Sequence, residues 1–318
     1  MRNTLLMATG LVISGAATAQ SFPVKPVRIV VPYAAGGPYD DIARTLGQRL
    51  TDIWGQAVIV ENRGGAGGNI GAEVVAKAAP DGYTVLLGNA GPITVNPTLF
   101  KKLPYDPQRD LAPVGMINAS RMVLSVHPSL PAKNARELVV LARARPGQLN
   151  YGSSGVGNLQ HLGMEILQIQ GGVKMNHVPY KGAAPAFVDL IAGQVDAMFA
   201  NIVGTMPHVR SGRVRAIGVS SAVRSPMLPD VPSVGEFFKG FDIPTWSGIF
   251  APTAVPRDIL VKLNTDLVKV LQRADVKERF ASQGSDATPS TPEALAEHVR
   301  KETAMYAGVI KAAKITSE

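Results

Sequence analysis

The sequence predicts an α/β protein built from two lobes. Short β-branched runs alternate with segments whose apolar residues recur at helical spacing, and this alternation is typical of α/β folds. A strand, a turn of small residues and a helix follow one another in the same order in each half of the chain. Two such units indicate two lobes with a cleft between them, and 318 residues are enough for two domains.

Residues 1–19 are expected to form a secretory signal peptide. Arg2 gives a positive start, residues 5–14 are mostly apolar, and residues 17–19 form a small-x-small cleavage site. The apolar run is too short to span a bilayer, and no later stretch of sequence is apolar enough to do so. We therefore expect export through the secretory pathway and a soluble mature protein.

The charge and cysteine content disfavour a nucleic-acid partner and exclude disulfides and a lipid-modified N-terminus. The formal net charge is +8, but lysine and arginine are scattered and aromatic residues do not interleave with them. This pattern argues against a nucleic-acid partner and favours a solvated surface that mildly attracts anions. The chain has no cysteine, so it has neither a disulfide nor the thiol that a lipid-modified N-terminus requires.

The first strand–turn–helix unit covers residues 27–50. Residues 27–31 read as a buried strand that Pro32 ends, and residues 34–37 are small enough for a ligand to approach the backbone. Asp40 or Asp41 is placed to charge or cap the following helix. Its free N–H groups suit an anion such as a carboxylate, although an ordinary βα turn without a ligand explains the same pattern. The helix is indicated by one apolar stripe: Ile42, Leu46 and Leu50.

Two more strands in this half also end in loops of small residues. Strand 57–60 leads into the glycine-rich segment 61–71 and a helix over 71–78, and strand 83–87 leads into residues 88–92. The glycine segment has neither a dinucleotide-binding nor a P-loop spacing, and a flexible turn explains it equally well. Because ligands bind beyond the carboxyl ends of strands in open α/β sheets, three successive loops of this kind favour a ligand site.

The rest of the chain contains a second strand–turn–helix unit and further strands and helices. Residues 128–131 look like a boundary, and strand 149–152, the polar loop 153–158 and helix 160–170 form the second strand–turn–helix unit. Further strands are expected at 111–116, 122–126, 175–178, 195–199, 214–219 and 246–250. Further helices are expected at 135–144, from 182 through 190, at 259–271 and at 294–313.

The sequence contains no recognisable catalytic or metal-binding motif. None of the five histidines has a metal-binding spacing, and no G-x-S-x-G nucleophile elbow occurs. We therefore expect no metal and no cofactor. His161 lies near Ser153 and Ser154 in sequence, which leaves a secreted hydrolase as an alternative, but no acid is placed to orient the histidine.

Seven motifs, in order along the chain, are typical of one family. They are GGPYDDIAR at 36–44, GAGGNIG at 65–71, AAPDGYT at 78–84, LPYD at 103–106, SSG at 153–155 with QHL at 160–162, VPYKG at 178–182 and LPDVP at 228–232. With this ordered set the mature chain resembles the Bug (TctC-like) family, the extracytoplasmic solute receptors of tripartite tricarboxylate transporters.

The resemblance implies a type II periplasmic binding protein, a Venus flytrap of two α/β lobes joined by crossover strands. Lobe 1 is then expected to comprise residues 20–125 and 248–318, and lobe 2 residues 126–247. The protein is expected to be a monomer that captures a small carboxylate, either an organic acid or an amino acid, between the lobes. It would deliver this ligand to the integral-membrane permease subunits of the transporter, or alternatively partner a sensor protein in signalling.

The resemblance also implies a set of ligand-binding residues. The first lobe would hold the carboxylate with the loop Tyr33 to Asp40, and the second lobe with the loop that begins at Ser153. The full predicted set is Tyr33, Ala35, Gly36, Gly37, Tyr39, Asp40, Asn89, Ser153, Ser154, Gly155, Gln160, His161, Tyr180, Gly182 and Asn201.

Two positions depart from the family pattern. Tyr39 stands where the family often has threonine or serine, and Ala200 lies in a stretch, 198–201, that often contains aspartate. If both positions face the cleft, the missing carboxylate disfavours a ligand with a free ammonium group. A simple or aromatic carboxylate is then expected rather than an acidic amino acid.

Overall fold

Eleven strands in two separate sheets form the framework of residues 22–317, the part of the chain that the computed structural model describes. The strands are β1 Val27–Val31, β2 Val58–Asn62, β3 Thr84–Asn89, β4 Leu111–Ser120, β5 Met122–Val126, β6 Asn150–Ser153, β7 Asn176–Pro179, β8 Ala197–Asn201, β9 Arg215–Val219, β10 Thr245–Pro252 and β11 Ser285–Ala287. The predicted signal peptide lies outside the described residues.

Eleven α-helices in the described residues cover the two sheets. They are α1 Pro38–Trp54, α2 Asn69–Ala76, α3 Asn96–Leu99, α4 Pro107–Asp110, α5 Ala135–Ala144, α6 Leu159–Gly171, α7 Ala183–Ile191, α8 Ile202–Arg210, α9 Arg257–Gln272, α10 Ala274–Ser282 and α11 Pro292–Ala312. None of the helices within residues 22–317 has the length and apolar character needed to cross a membrane.

Each sheet is the centre of one lobe. The first has six strands in the order β11-β4-β10-β3-β1-β2, in which β1 runs parallel to β2 and β3 while β10 runs antiparallel to β3 and β4. The second has five strands in the order β7-β6-β8-β5-β9, in which β6 runs parallel to β7 and β8 while β5 runs antiparallel to β8 and β9. This is the two-lobed α/β architecture that the sequence predicts.

The chain passes between the lobes at two adjacent places. Only Arg121 separates β4 of the first sheet from β5 of the second, and the return runs from β9 to β10. Ser220 links the two passages, because its N–H donates to the Met122 carbonyl at 2.9 Å and its hydroxyl donates to the Ile243 carbonyl at 2.9 Å. The lobes are therefore joined along one edge.

The predicted lobe limits, 125/126 and 247/248, fall inside strands β5 and β10. All of β5 pairs with β8 and β9, and all of β10 pairs within the first sheet. We therefore place the first passage at Arg121 and the second between Val219 and Thr245. The alternation of strands and helices locates the elements but does not show which sheet an apolar strand will join.

Two local predictions were wrong. Residues 88–92, expected to be a loop, complete β3 and enter a π-helical turn at Gly91–Val95. Helix α8 was not predicted, because Gly204 and Pro207 lower helix propensity. It forms because Asn201 caps it, with the side-chain oxygen accepting a hydrogen bond from the Val203 N–H at 3.0 Å.

The stability of the first lobe depends on the apolar face of α1. Leu46 is fully buried against the sheet, whereas Ile53 on the same helix is 40% exposed. Leu46→Ala should lower the free energy of unfolding by about 3 kcal/mol, because it leaves a cavity. Ile53→Ala should change it by less than about 1 kcal/mol. Urea titration followed by tryptophan fluorescence measures both, and equal effects would contradict this packing.

Candidate functional site

A cavity of about 530 Å³ lies between the two lobes. The first lobe contributes the start of α1, the ends of β4 and β10 that approach the second lobe, and the start of β11 with the residues before it. The second lobe contributes the start of α8. The lining residues are Gly36, Gly37, Pro38, Tyr39, Asp41, Ile42, Asn118, Ser120, Asn201, Val203, Gly204, Thr245, Trp246, Gln283 and Ser285.

The N-terminus of α1 forms one wall of this cavity. Gly36, with φ +80°, makes the turn after β1, and Pro38 occupies the first helical position, where a missing N–H costs nothing. Within the described chain, the Asp41 amide bonds the Gly37 carbonyl, while the amides of Gly37 and Tyr39 have no protein acceptor. These free amides and the helix dipole make the wall electropositive.

Asp40 holds the backbone of this wall in place without lining the cavity. Its buried carboxylate accepts a hydrogen bond from the Gly36 N–H at 2.9 Å and another from Arg44 Nε at 3.0 Å. These two bonds, chiefly that from Arg44, hold the pKa of Asp40 below its ordinary value. Asp40 therefore stays ionised and fixes the loop, and it does not line the cavity.

Two stacked tyrosines support the same loop. The rings of Tyr33 and Tyr39 lie 4.9 Å apart at 23°, and the Tyr33 hydroxyl donates to Asn89 Oδ1 at 2.9 Å. Burial raises the pKa of both tyrosines, so both hydroxyls stay protonated. Tyr39 lines the cavity, whereas Asn89 is buried and does not.

The N-terminus of α8 forms the opposing wall. Its cap, Asn201, satisfies the Val203 amide, and the Ile202 amide bonds the Arg121 carbonyl at 3.1 Å. Among the residues described, the Gly204 amide has no protein acceptor, and the space around Gly204 is open. A second electropositive helix end, from the other lobe, therefore faces the same cavity.

The lining contains no lysine, arginine or histidine. Its one carboxylate, Asp41, accepts hydrogen bonds from Arg279 and Gln283, and the Arg279 bond is the main reason that the pKa of Asp41 is lowered. The positive potential in the cavity therefore comes from oriented backbone amides of α1 and α8. Such a site suits a small anion, which several fixed N–H groups can bind together.

The predicted residues of the β6–α6 loop mainly bond one another. The Ser154 N–H donates to Gln160 Oε1 at 2.8 Å, the Gly157 N–H donates to His161 Nδ1 at 3.0 Å, and Ser153 Oγ lies 2.7 Å from His177 Nε2. These bonds fix the backbone of the loop within the second lobe.

His161 at the start of α6 and the half-buried His177 on β7 form a stacked pair beside this loop. The rings of His161 and His177 lie 3.7 Å apart, and burial lowers the pKa of His161 to about 3 and that of His177 to about 4. The alternative of a secreted hydrolase gains no support from this arrangement, since Ser153 contacts His177 and not His161. Ser153 is fully buried, so it is not placed to attack a substrate.

A second cavity of about 590 Å³ lies elsewhere between the lobes, lined by Tyr33, Gly67, Gly91, Asn96, Leu99, Phe100, Val156, Gly157, Asn158, Thr316 and Ser317. Tyr180 contributes to neither cavity wall. Its hydroxyl donates to Asp189 Oδ2 at 2.6 Å, and its pKa rises to about 12, chiefly through burial.

The structure brings part of the predicted set together. Gly36, Gly37, Tyr39 and Asn201 line the first cavity, and Tyr33 lines the second. The other predicted residues lie outside both walls: Ala35, Asp40, Asn89, Ser153, Ser154, Gly155, Gln160, His161, Tyr180 and Gly182. Ala200 does not face the cleft either, since it is buried in the second lobe against Phe187 and Met198. The argument against an ammonium-bearing ligand therefore fails, because the missing carboxylate was assigned to Ala200, whereas Tyr39 stands where the family often has threonine or serine.

Sequence reasoning missed several lining residues. Asn118 and Ser120 are polar residues inside the apolar strand β4, which is a usable signal. No sequence pattern marks Gln283 or Thr245 as a lining residue. They lie at the cavity only because β10 and β11, which are distant in sequence from α1, join the same sheet. Within residues 22–317, no cluster of three or more His, Asp or Glu side chains is arranged to hold a metal ion.

Comparison with known proteins agrees with the two-lobed fold. Residues 42–315 match the family model described as the tripartite tricarboxylate transporter family receptor. Protein BugT of Bordetella pertussis is 36% identical over 301 residues, which cover 94% of this chain and 92% of BugT.

Two similar solved structures contain carboxylates. An R. palustris protein solved with adipate has 34% identity and a TM-score of 0.79, with 93% of this chain and 99% of that chain covered. MatC from Rhodopseudomonas palustris, solved with bound malate, has 34% identity and a TM-score of 0.75, with 91% and 100% covered. The predicted family and its two-lobed binding-protein fold are confirmed, and the chain belongs to the tripartite tricarboxylate transporter receptor family.

Proposed function

We propose that this protein is a periplasmic receptor that captures a small carboxylate in the cavity between α1 and α8. The observation that carries the proposal is the pair of helix N-termini, one from each lobe, whose free amides face one cavity without a basic side chain in its lining. A carboxylate accepts several hydrogen bonds at once and matches the charge of both helix ends.

The relatives support this ligand class. Adipate and malate, with which two similar proteins were solved, are both small dicarboxylates. A carboxylate at each end of such a ligand would pair with one helix N-terminus. The neutral groups of the lining, such as Asn118 and Gln283, would then contact the middle of the ligand.

The ligand would stabilise a closed arrangement of the lobes. The two passages lie side by side at Ser220, so the lobes can close about this edge. A ligand that bonds amides of both lobes binds the closed form more tightly than the open form and shifts the population toward it. The closed receptor would then deliver the carboxylate to the permease subunits of a tripartite tricarboxylate transporter.

Native mass spectrometry combined with thermal shift tests the proposal. The mature protein should carry an added mass that is lost on unfolding, or should be stabilised by a member of a panel of mono-, di- and tricarboxylates. Ligand at one hundred times Kd should add about 2.7 kcal/mol to the free energy of unfolding. A clean mass together with no shift for any carboxylate contradicts the proposal.

A charged substitution at Gly204 tests whether the anion binds at the N-terminus of α8. Gly204→Asp should abolish carboxylate binding, because it places a negative charge at the N-terminus of α8, where the space is open. Gly204→Asn is the matched control, since it adds the same bulk without charge and should retain most of the affinity. Isothermal titration measures both, and equal affinities in the two variants would show that the anion does not bind at this helix end.

Removal of the Asp40 carboxylate tests whether the fixed loop before α1 contributes to ligand binding. Asp40→Ala removes the acceptor that fixes the Gly36 amide and should weaken ligand binding by about tenfold. Asp52→Ala is the control, because Asp52 lies on the same helix but is exposed and pairs only with Arg49 among the described residues. Binding that is unchanged in Asp40→Ala would rule out this role for the loop.

A further inference from the structure

The lysines and arginines of the two lobes differ in how they are paired. Residues 122–244 contain eleven of them, and only Arg224 makes an ion pair within residues 22–317. In the rest of the described chain, fourteen of the twenty lysines and arginines pair with an aspartate or a glutamate. The second lobe therefore presents cationic groups that the described chain itself does not neutralise.

Four of these cations lie on one surface where α5 meets the end of α6. Arg136 and Arg143 are seven residues apart on α5, so they share its exposed side, and Val140 lies between them. Arg143 Nη2 donates to the Gly171 carbonyl at 2.6 Å, which joins this side of α5 to the C-terminal end of α6. We call this surface the α5–α6 face, and its exposed residues are Arg136, Val140, Arg143, Arg145, Ile169 and Lys174.

The segments that follow the two helices complete the α5–α6 face. Arg145 directly follows α5, and two residues later the Gly147 amide donates to the Lys174 carbonyl at 3.1 Å, which brings Lys174 beside this turn. The side chains of Arg145 and Lys174 have neither an ion pair nor a hydrogen bond within residues 22–317. Their charged groups are therefore available to an external anion.

The two acids of these helices do not neutralise the face. Glu137 accepts hydrogen bonds from the Lys133 amide at 2.7 Å and from Asn134 Nδ2 at 2.9 Å, so its carboxylate is engaged at the start of α5. Glu165 accepts from the Tyr151 hydroxyl and from Gln168 Nε2. Since neither acid bonds a cation of the α5–α6 face, the face carries four positive charges and suits an anionic surface.

The apolar residues of the face favour a membrane surface over a protein surface. Val140 is 58% exposed and Ile169 is 49% exposed, and the face exposes no aromatic ring. A protein interface centres on a contiguous core that is rich in aromatic side chains. A charged bilayer surface instead attracts clustered cations, and isolated aliphatic side chains between them can enter the headgroup region. Arginine also matches the oxygen atoms of a lipid phosphate with paired N–H donors.

We propose that the α5–α6 face docks on a membrane surface that contains anionic phospholipids. The four cations would contact the lipid phosphates, and Val140 and Ile169 would enter the headgroup region. All six residues of the face belong to the second lobe, so this contact leaves the first lobe free to move about the passages between the lobes. The inference goes beyond carboxylate capture. If the proposed function also holds, docking concentrates the receptor at the bilayer in which the permease subunits lie.

Co-sedimentation with lipid vesicles tests the proposal without any carboxylate ligand. The mature protein should bind phosphatidylglycerol vesicles in about 20 mM salt and should not bind phosphatidylcholine vesicles. Its affinity for phosphatidylglycerol should fall by about tenfold or more in about 150 mM salt, because salt screens exposed charges. Failure to bind phosphatidylglycerol vesicles at low salt, or equal binding to both lipids, overturns the proposal.

A pair of double variants separates the α5–α6 face from the overall net charge. Arg145→Gln with Lys174→Gln should weaken binding to phosphatidylglycerol vesicles by about tenfold or more and leave the protein folded, because both side chains are exposed. Lys101→Gln with Lys102→Gln is the matched control, since it removes the same charge from exposed positions of the first lobe and should retain the affinity. Equal weakening in the two double variants would show that net charge alone drives binding, and it would overturn the assignment of this face.

The aliphatic contact has its own test. Val140→Ser should weaken binding to phosphatidylglycerol vesicles by about threefold or more, because it removes apolar surface that enters the headgroup region. Val261→Ser on α9 is the control, since Val261 is 53% exposed in the first lobe and its replacement should leave the affinity unchanged. An unchanged affinity in Val140→Ser would overturn the insertion of this side chain.

Vesicle binding and carboxylate binding fail separately. Arg145→Gln with Lys174→Gln should leave carboxylate affinity unchanged in isothermal titration, because neither residue lines the cavity between α1 and α8. Vesicle binding without binding of any carboxylate would contradict the proposed function and support the docking face. Carboxylate binding without vesicle binding would overturn the docking face and leave the proposed function intact.

Discussion

The architecture around the cavity depends on one electrostatic constraint, which is that two helices from different lobes direct unused amides at the same space. Gly37 and Tyr39 begin one helix, and Gly204 lies in the first turn of the other. Because the lining contains no lysine, arginine or histidine, these helix ends supply its positive potential. Backbone amides recognise a carboxylate without reading what it is attached to, so one scaffold can serve similar proteins that were solved with adipate and with malate.

Polar side chains near the cavity act mainly on the backbone. Asp40 fixes the Gly36 amide, Asn201 caps α8, and Gln160 holds the loop after β6. Such bonds preorganise the loops before a ligand arrives, so less conformational freedom is lost on binding.

Much of the fold could be predicted from the sequence, but only part of the site. The stripe of Ile42, Leu46 and Leu50 locates α1 because helical spacing and burial coincide there. Helix α8 was missed because its cap overrides the poor propensity of Gly204 and Pro207. Ser153 and His161 were assigned to the ligand on the family resemblance, and in the structure their side chains form hydrogen bonds within the second lobe. Sequence does not show whether a donor is already satisfied, nor that Asn118 and Gln283 meet at one cavity.

A crystal structure with the carboxylate that stabilises the protein most strongly would test the central claim most directly. The account predicts that the ligand lies in the first cavity, with carboxylate oxygens within hydrogen-bond distance of the Tyr39 and Gly204 amides. It also predicts that no lysine, arginine or histidine side chain contacts the ligand directly. A ligand bound instead in the cavity lined by Tyr33, Asn96 and Asn158 would contradict the account.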